Sequence, residues 1–537
     1  MANRNLKLYV TVVLVLIIAI GAYYTSSLTP KSVGPTTMTL SATGGPNGTI
    51  VVGSTEYPAL GISPFNNTFD TGFNIGHQIY DSIVLLRPDG TIIPGLATSW
   101  SANSDSTVWT FQLRKGVKFH DGTPFNASAV KFSIDIGVPT TFGQLTLGPY
   151  FKSVEVVDDY TVRFNLKTSY AGFPAILSTA TGLIASPSAY SKDPKNYGTF
   201  VNVGTGPFKF VQWIPRDRVI LEANTNYWDT SRVPKVKTFI WRFFSDPNAM
   251  VLSLRSGEIN VLYLQVPKSQ VAALSQDPNL RYVKNLDPFT YFLGLNRKFK
   301  PLDNLYVRKA IAYALDLDKI AGLANATRAY SIFPNQIFGQ VDAAAQKNFT
   351  YNLAYAKSLM AKAGYPNGYD GNLELYYPPQ QFGAELSDIV TVIQRNLADI
   401  GLKILLKPVD PAAQSAIVNA QNAAMAIYRA GTLSADPDFL ATFTYGLNQL
   451  NSWSRWAFNN STADDWVTQA RVAASAQDRV RLYQLIQNTF DTQPSHLIFL
   501  YNNIHYVFFN NKVQGINSVG VSPGFELDWT MVYVRES

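Results

Sequence analysis

Apolar and polar residues alternate over residues 109–113, where Trp109, Phe111 and Leu113 share one face. That period of two predicts a half-buried strand. Arg114-Lys115-Gly116 predicts a turn with Gly116 at positive φ, and Val117 and Phe119 then resume the alternation. Asp121-Gly122 marks a second turn and Pro124 stiffens its exit. Asn126 is placed to cap a helix that carries Val130 and Ile134 on one side. The stretch thus reads as strand, turn, strand, turn, helix.

Further along, residues 49–52 read as a short apolar strand, and residues 153–166 as a hairpin across Asp158-Asp159. Residues 372–377 predict a strand and 385–400 a helix with Leu386, Ile389, Ile393, Leu397 and Ile400 on one face. Gly401 stops that helix, and Leu402, Ile404 and Leu406 begin another strand. The sum is a β–α–β crossover, which requires parallel strands and a right-handed connection. A second helix over 352–363 ends at Gly364, and another is expected over 478–493. No internal repeat is present.

The amino terminus follows a different pattern. Residues 8–30 contain no charge, 8–24 are almost entirely apolar, and Arg4 and Lys7 precede them. That segment is read as an uncleaved membrane anchor with Tyr23 and Tyr24 at its outer end, or alternatively as a signal peptide. Either reading exports the rest of the chain. Residues 25–48 form a stalk: 17 of the 24 are Ser, Thr, Pro or Gly, too few large apolar groups for a core.

Composition narrows the chemistry. A chain of 537 residues is too long for one core and implies several domains. Its net charge of +7 is spread without a basic run, which argues against nucleic-acid binding. The absence of cysteine removes disulfides, thiolate metal sites, Cys nucleophiles and a lipid-modified Cys anchor. Only four histidines occur, none with zinc-protease spacing. Seven Asn-x-Ser/Thr sequons stand at Asn47, Asn66, Asn126, Asn325, Asn348, Asn459 and Asn460. In an exported chain some of them are expected to carry sugar, given a host with the machinery. A cysteine-free, sequon-bearing, tethered chain is read as archaeal.

The wording of the first stretch says more than its pattern. The string Leu113-Arg114-Lys115-Gly116-Val117-Lys118-Phe119-His120-Asp121-Gly122-Thr123-Pro124-Phe125-Asn126-Ala127 follows Pro94-Gly95-Leu96-Ala97-Thr98-Ser99-Trp100. Together they closely resemble the signature region of the extracellular solute-binding proteins, family 5, the receptors of peptide/nickel-type ABC importers. Residues 79–86, 203–210, 221–228, 308–316, 478–493 and 513–515 resemble further blocks of that family. The resemblance implies an α/β, two-lobed periplasmic-binding-protein type II fold of the large, three-subdomain variety, with mixed sheets and a central ligand cleft. Lobe I would comprise 49–286 and 507–537, with an extra subdomain at about 85–200, and lobe II 287–506. Lobe closure would bury the ligand.

By the same resemblance the cleft segments are 56–67, 289–295, 428–439 and 452–458. The expected ligand-binding residues are Glu56, Tyr57, Phe65, Tyr291, Tyr428, Arg429, Leu433, Asp436, Trp453 and Trp456. Tyr428, Trp453 and Trp456 would stack on apolar faces, while Glu56, Arg429 and Asp436 fix polar ends; core packing is the competing reading of each Trp. Peptide-binding members carry an Asp before their Asp-Pro-Asp segment that holds the ligand's amino group. Aligned on Asp436-Pro437, that position falls on or beside Leu433, which disfavours a free ammonium unless Asp436 takes the role. The ligand is therefore expected to be an oligopeptide or an oligosaccharide.

Three enzyme signals fail. Asp70-Thr71-Gly72 has no second Asp-Thr/Ser-Gly to share a proton with. Gly520-Val521-Ser522-Pro523-Gly524 has no His after the Ser to complete a triad in that order. The carboxylate pairs Asp158-Asp159 and Asp464-Asp465 are adjacent residues that usually point apart, as solvated turn acids do, and do not make a glycosidase pair. Separately, Gly204-Thr205-Gly206 lacks the Gly-Lys-Ser/Thr of a phosphate loop. The expectation is a non-enzymatic, monomeric receptor without cofactor or metal, tethered at the outer face of the cytoplasmic membrane, with ABC permease subunits as partners. A secreted hydrolase and a surface sensor on the same scaffold are the alternatives.

Overall fold

The structure, a computed structural model, describes residues 46–535 apart from 59–60, 66–69, 88–90, 264–265, 334–348, 380–384, 432–435, 446–455, 457, 459, 474, 492 and 517–527. It divides into two compact units. The chain passes from one to the other at 285/286 and again at 504/505.

The unit formed by 46–285 and 505–535 is built on a mixed sheet. Its central strand Thr49–Ser54 pairs in parallel with Thr238–Phe243 and with Val261–Leu262. Antiparallel strands Arg218–Ala223 and Phe208–Ile214 extend one edge. Ile50 and Val52 are fully buried, as alternation in a covered strand requires. A second, four-stranded antiparallel sheet orders Ala97–Ala102, Val108–Leu113, Thr161–Leu166 and Phe151–Asp158. Trp109, Phe111 and Leu113 point into its core, Gly116 and Gly122 take φ of 79° and 83°, and Asn126 caps helix Ala127–Gly137 through Ala129 N–H. Val117 and Phe119 are buried as the alternation predicts, but only an isolated bridge, Lys118 to Pro124, forms there. The two turns leave too little chain for a ladder.

The signature strings lock onto one another inside this unit. His120 N–H donates to Gly204 O and its ring Nε2 to Gly206 O, both at 2.9 Å. Asp121 accepts from Ser186 Oγ at 2.7 Å. Gly204 and Gly206 lie against the end of helix Asp70–Ile79, where a Cβ would come within 2.2 Å of Ile79 O and 2.6 Å of Ile79 C respectively. Close backbone approach therefore explains the glycines that mimic a phosphate loop. Asp81, buried beside them, accepts from Thr205 Oγ1 (2.8 Å), Tyr227 Oη (2.7 Å) and Trp228 Nε1 (2.7 Å). Arg114 covers the Trp228 ring at 4.4 Å. The stretch that carries the resemblance is thus an internal brace.

The unit formed by 286–504 has a sheet ordered Lys403–Pro408, Asn372–Tyr377, Met425–Gly431, 286–295, 497–504, with Thr327–Arg328 pairing the last. The first two strands are parallel and flank helix Leu386–Ala398, the crossover that the periodicity requires. That helix buries Leu386, Ile389, Val390, Ile393 and Leu397 completely, each contributing about 1.5–3 kcal/mol. Gly401, at φ 78°, ends the connection. Helix Ala476–Ile486 departs from expectation: it continues as a π turn, Gln487–Asp491, and stops there. The wider turn brings Gln487, Phe490 and Asp491 inward.

Candidate functional site

In the 286–504 unit the nominated residues gather where Met425–Gly431 runs antiparallel to Phe289–Leu295, with Tyr291 opposite Arg429 and Phe292 opposite Tyr428. Strand alternation sends Tyr428 and Arg429 to opposite faces. Tyr428 is 6% exposed, stacks on Phe292 and meets the Trp456 ring edge-on at 6.3 Å. Half-buried Arg429 lies over Phe289 at 4.4 Å and donates weakly to Tyr291 Oη at 3.5 Å. Asn503 Nδ2 donates to the same hydroxyl at 3.0 Å, and the Tyr291 ring stacks on Tyr501 at 4.6 Å. Asn502 Nδ2 donates to Thr290 Oγ1 at 2.8 Å and to Phe289 O at 3.0 Å. The face that carries Arg429, Tyr291 and Asn503, opposite to that of Asn502 and Thr290, offers a planar cation set among a neutral hydrogen bonder and aromatic rings, suited to a carboxylate or an amide.

Asp436 and Trp456 are both buried. Asp436 is 4% exposed and accepts from Arg479 Nη2 on both oxygens, at 2.8 and 2.6 Å, while Oδ1 also caps Asp438 N–H at 2.9 Å. Burial pushes the neighbouring Asp438 carboxyl up, opposed by the charge of Arg471, whose Nε donates to both its oxygens at 3.2 Å. Trp456 is 1% exposed, and its Nε1 has no hydrogen-bond partner among the described residues. The indole fills the space above Gly294, where a Cβ would stand 2.3 Å from Cζ2. Gly294→Ala is therefore expected to cost about 1–3 kcal/mol by overpacking, read as a lowered urea midpoint. A midpoint equal to wild type would show that the indole can move aside. Leu433 and Trp453 lie outside the described residues.

In the other unit Glu56 sits at the start of helix Asp70–Ile79. Its Oε2 accepts from Thr71 N (3.3 Å) and Thr71 Oγ1 (3.1 Å), a position the helix dipole favours for a carboxylate. Ser54 Oγ lies 3.2 Å from Thr71 Oγ1, and Tyr263 Oη donates to Asn74 Oδ1 at 3.1 Å. Tyr57 packs on Trp213 and edge-on to Phe243, and Phe65 on Tyr190 and Tyr197.

Sequence reasoning missed Tyr501, Asn502 and Asn503, and also Arg471 and Arg479. The first three stand on the strand Leu497–Asn510, which the periodicity reading does not include. The arginines could have been sought, because a buried Asp-Pro-Asp needs cations and two amphipathic helices follow it. Among the described residues no group of three or more His, Asp or Glu could hold a metal ion.

Titratable groups behind this face carry opposite pH signatures. Burial pushes Asp491 up to about 7 from its ordinary 3.8, opposed by hydrogen bonds from Ser331 and Tyr445. A carboxyl raised in the fold stabilises it at low pH, and that stability is lost as pH rises toward 7. Burial drives His496 down to about 3 from its ordinary 6.5, so its contribution is lost as pH falls below 6.5. Asp491→Asn is expected to gain a few kcal/mol on wild type between pH 5 and pH 8. Parallel stability–pH curves for the two proteins would refute this.

Comparison with known proteins places this geometry. The profile of the bacterial extracellular solute-binding proteins, family 5 (middle region), matches residues 91–451. The glutathione-binding protein GsiB of Pectobacterium atrosepticum is 31% identical over 374 residues, 69% of this chain and 70% of that protein. The structure of HbpA2 from Haemophilus parasuis superposes with a TM-score of 0.81 at 25% identity, covering 91% of this chain and all of that one. DppA from Helicobacter pylori, solved with the peptide STSA, gives 0.72 at 25% identity, over 92% and 99% of the two chains.

Proposed function

The chain belongs to the bacterial extracellular solute-binding proteins, family 5, and on that premise we propose that it captures a short peptide outside the cytoplasm and delivers it to the permease of an ABC importer. The match over residues 91–451 carries this reading. It is supported by relatives that bind glutathione and a tetrapeptide, and by the cluster of Arg429, Tyr291 and Asn503, whose donors suit a peptide carboxylate or amide. No catalytic step is proposed.

A second reading has its own observation. The Asp436 carboxylate is engaged by Arg479 and by the amide of Asp438, so a ligand ammonium draws no counter-charge from this segment. That favours solutes without a free amino group to bury, oligosaccharides or amino-blocked peptides, using aromatic platforms and neutral hydrogen bonders.

The N-terminal segment 1–24 is proposed as the tether. It lies outside the described residues, among which no helix is long and apolar enough to cross a membrane. The protein is taken to act as a monomer. Of the sequons, Asn47 and Asn325 are exposed, whereas Asn126 and Asn460 cap helices with their side chains. Sugar is therefore assigned to Asn47 and Asn325 in a glycosylating host. Asn66, Asn348 and Asn459 lie outside the described residues.

The test is a thermal-shift screen of residues 46–537 against glutathione, di- to pentapeptides with free and acetylated amino ends, and cello-, malto- and xylo-oligosaccharides. A ligand at a hundred times its dissociation constant adds about 2.7 kcal/mol, enough to raise the melting temperature visibly. Shifts with free peptides support the first reading, and shifts with blocked peptides or sugars alone support the second. No shift with any class would overturn both.

A further inference from the structure

Two buried ion pairs stand behind the strand Met425–Gly431, and neither has been given a part in holding the binding face. Asp436 pairs with Arg479 at 2.6 Å, their side chains 4% and 9% exposed, and Asp438 pairs with Arg471 at 3.2 Å, 0% and 12% exposed. Each carboxylate stands at the start of helix Asp438–Tyr445, and each arginine comes from a different later helix: Arg471 from Ser461–Val472 and Arg479 from Ala476–Ile486. Arg471 also donates to Thr442 Oγ1 at 2.5 Å, one turn on. Arg479 Nε donates to Ala470 O at 3.0 Å, which ties its helix to the end of the preceding one. Three helices are thereby pinned at one corner.

The pinned layer is the surface on which the ligand-side strand rests. Tyr428 and Ala430 share one core cluster with Leu440, Ala441, Val467 and Leu482, which come from those three helices. Arg429, between them, projects from the opposite face of the strand toward Tyr291. Only four residues stand between Gly431 and Asp436 in the sequence, so the downstream end of the strand must lie within about 18 Å of the clamped turn.

Buried ion pairs are weak contributors to net stability, because desolvation offsets most of the Coulomb attraction. Two of them on one helix start are better explained by the geometry they impose, since the guanidinium fork fixes direction as well as distance. We infer that Arg471 and Arg479 are positioning residues for ligand binding, which hold the Asp436-Pro437-Asp438 turn and thereby the Tyr428–Gly431 strand end and the guanidinium of Arg429.

This rests on the peptide-receptor reading, so the test needs a readout that survives its failure. Arg471→Lys and Arg479→Lys keep the charge and lose the fork; Arg395→Lys, on an exposed face of another helix, is the control. Each is compared with wild type well below its melting temperature, once by amide hydrogen exchange over residues 425–431 and once by titration with glutathione and acetylated and free tripeptides. The clamp predicts exchange at Arg429, Ala430 and Gly431 at least tenfold faster, with 372–377 unchanged, and at least tenfold weaker binding of whichever probe wild type binds. A purely structural role would lower the melting temperature yet leave exchange and affinity at wild-type values, and that result overturns the inference. If wild type binds none of the probes, the receptor reading loses its support while the exchange arm still decides the clamp. Should the Lys variants not fold, Asp438→Asn, read in the same two ways, replaces them.

Discussion

Asp81→Ala is expected to destabilise the 46–285/505–535 unit by about 3–5 kcal/mol. The carboxylate is 4% exposed and is the shared acceptor of a hydroxyl, a phenol and an indole N–H. Removing it strands two buried donors and the half-buried Trp228 indole, and each buried donor left unpaired costs about 1–3 kcal/mol. All three donors lie more than a hundred residues downstream of Asp81, so its loss also frees Trp228 from its place under Arg114. Asp81→Asn keeps one acceptor oxygen and should lose about half as much. Urea unfolding followed by tryptophan fluorescence measures both variants. If alanine shifts the midpoint no more than asparagine, the brace is dispensable.

Asp436→Ala should cost the other unit a similar amount, about 3–5 kcal/mol, because it leaves the Arg479 guanidinium buried without its counter-charge. Adding Arg479→Leu should recover much of the loss, since an apolar pair of similar volume is tolerated where a lone buried charge is not. A double-mutant cycle isolates the coupling. Were Asp436 instead a ligand contact, the single variant would keep wild-type stability and lose only affinity.

Much of the fold was legible before any coordinates. The alternation at Trp109, Phe111 and Leu113, the cap at Asn126 and the 3.6-residue face of Leu386–Ala398 are local features, and local rules suffice for them. The α/β class follows from the crossover, whose parallel strands the structure contains. The π turn at Gln487–Asp491 was not legible, because the sequence there continues a helical pattern and only packing decides that the turn widens to bury Asp491.

The candidate site was legible by residue type but not by role. Arg429 and Tyr291 do meet, since strand register places them opposite each other. Asp436 was nominated as a fixed charge for the ligand, yet it lies in an ion pair whose partner stands 43 residues downstream. The identity of that partner depends on how helices pack, which no spacing rule reports. The same holds for Trp456, whose surroundings are set by Gly294 on a distant strand.

The sequence by itself determined the family, the α/β class, the local elements and the absence of cysteine chemistry, because each rests on residue identity or short-range periodicity. The tertiary structure alone decided that His120 and Asp81 tie distant segments together, and that two arginines close on Asp436 and Asp438. Both outcomes depend on which buried polar groups meet across long stretches of chain. A buried donor or acceptor must find its partner wherever the fold brings one within about 3 Å.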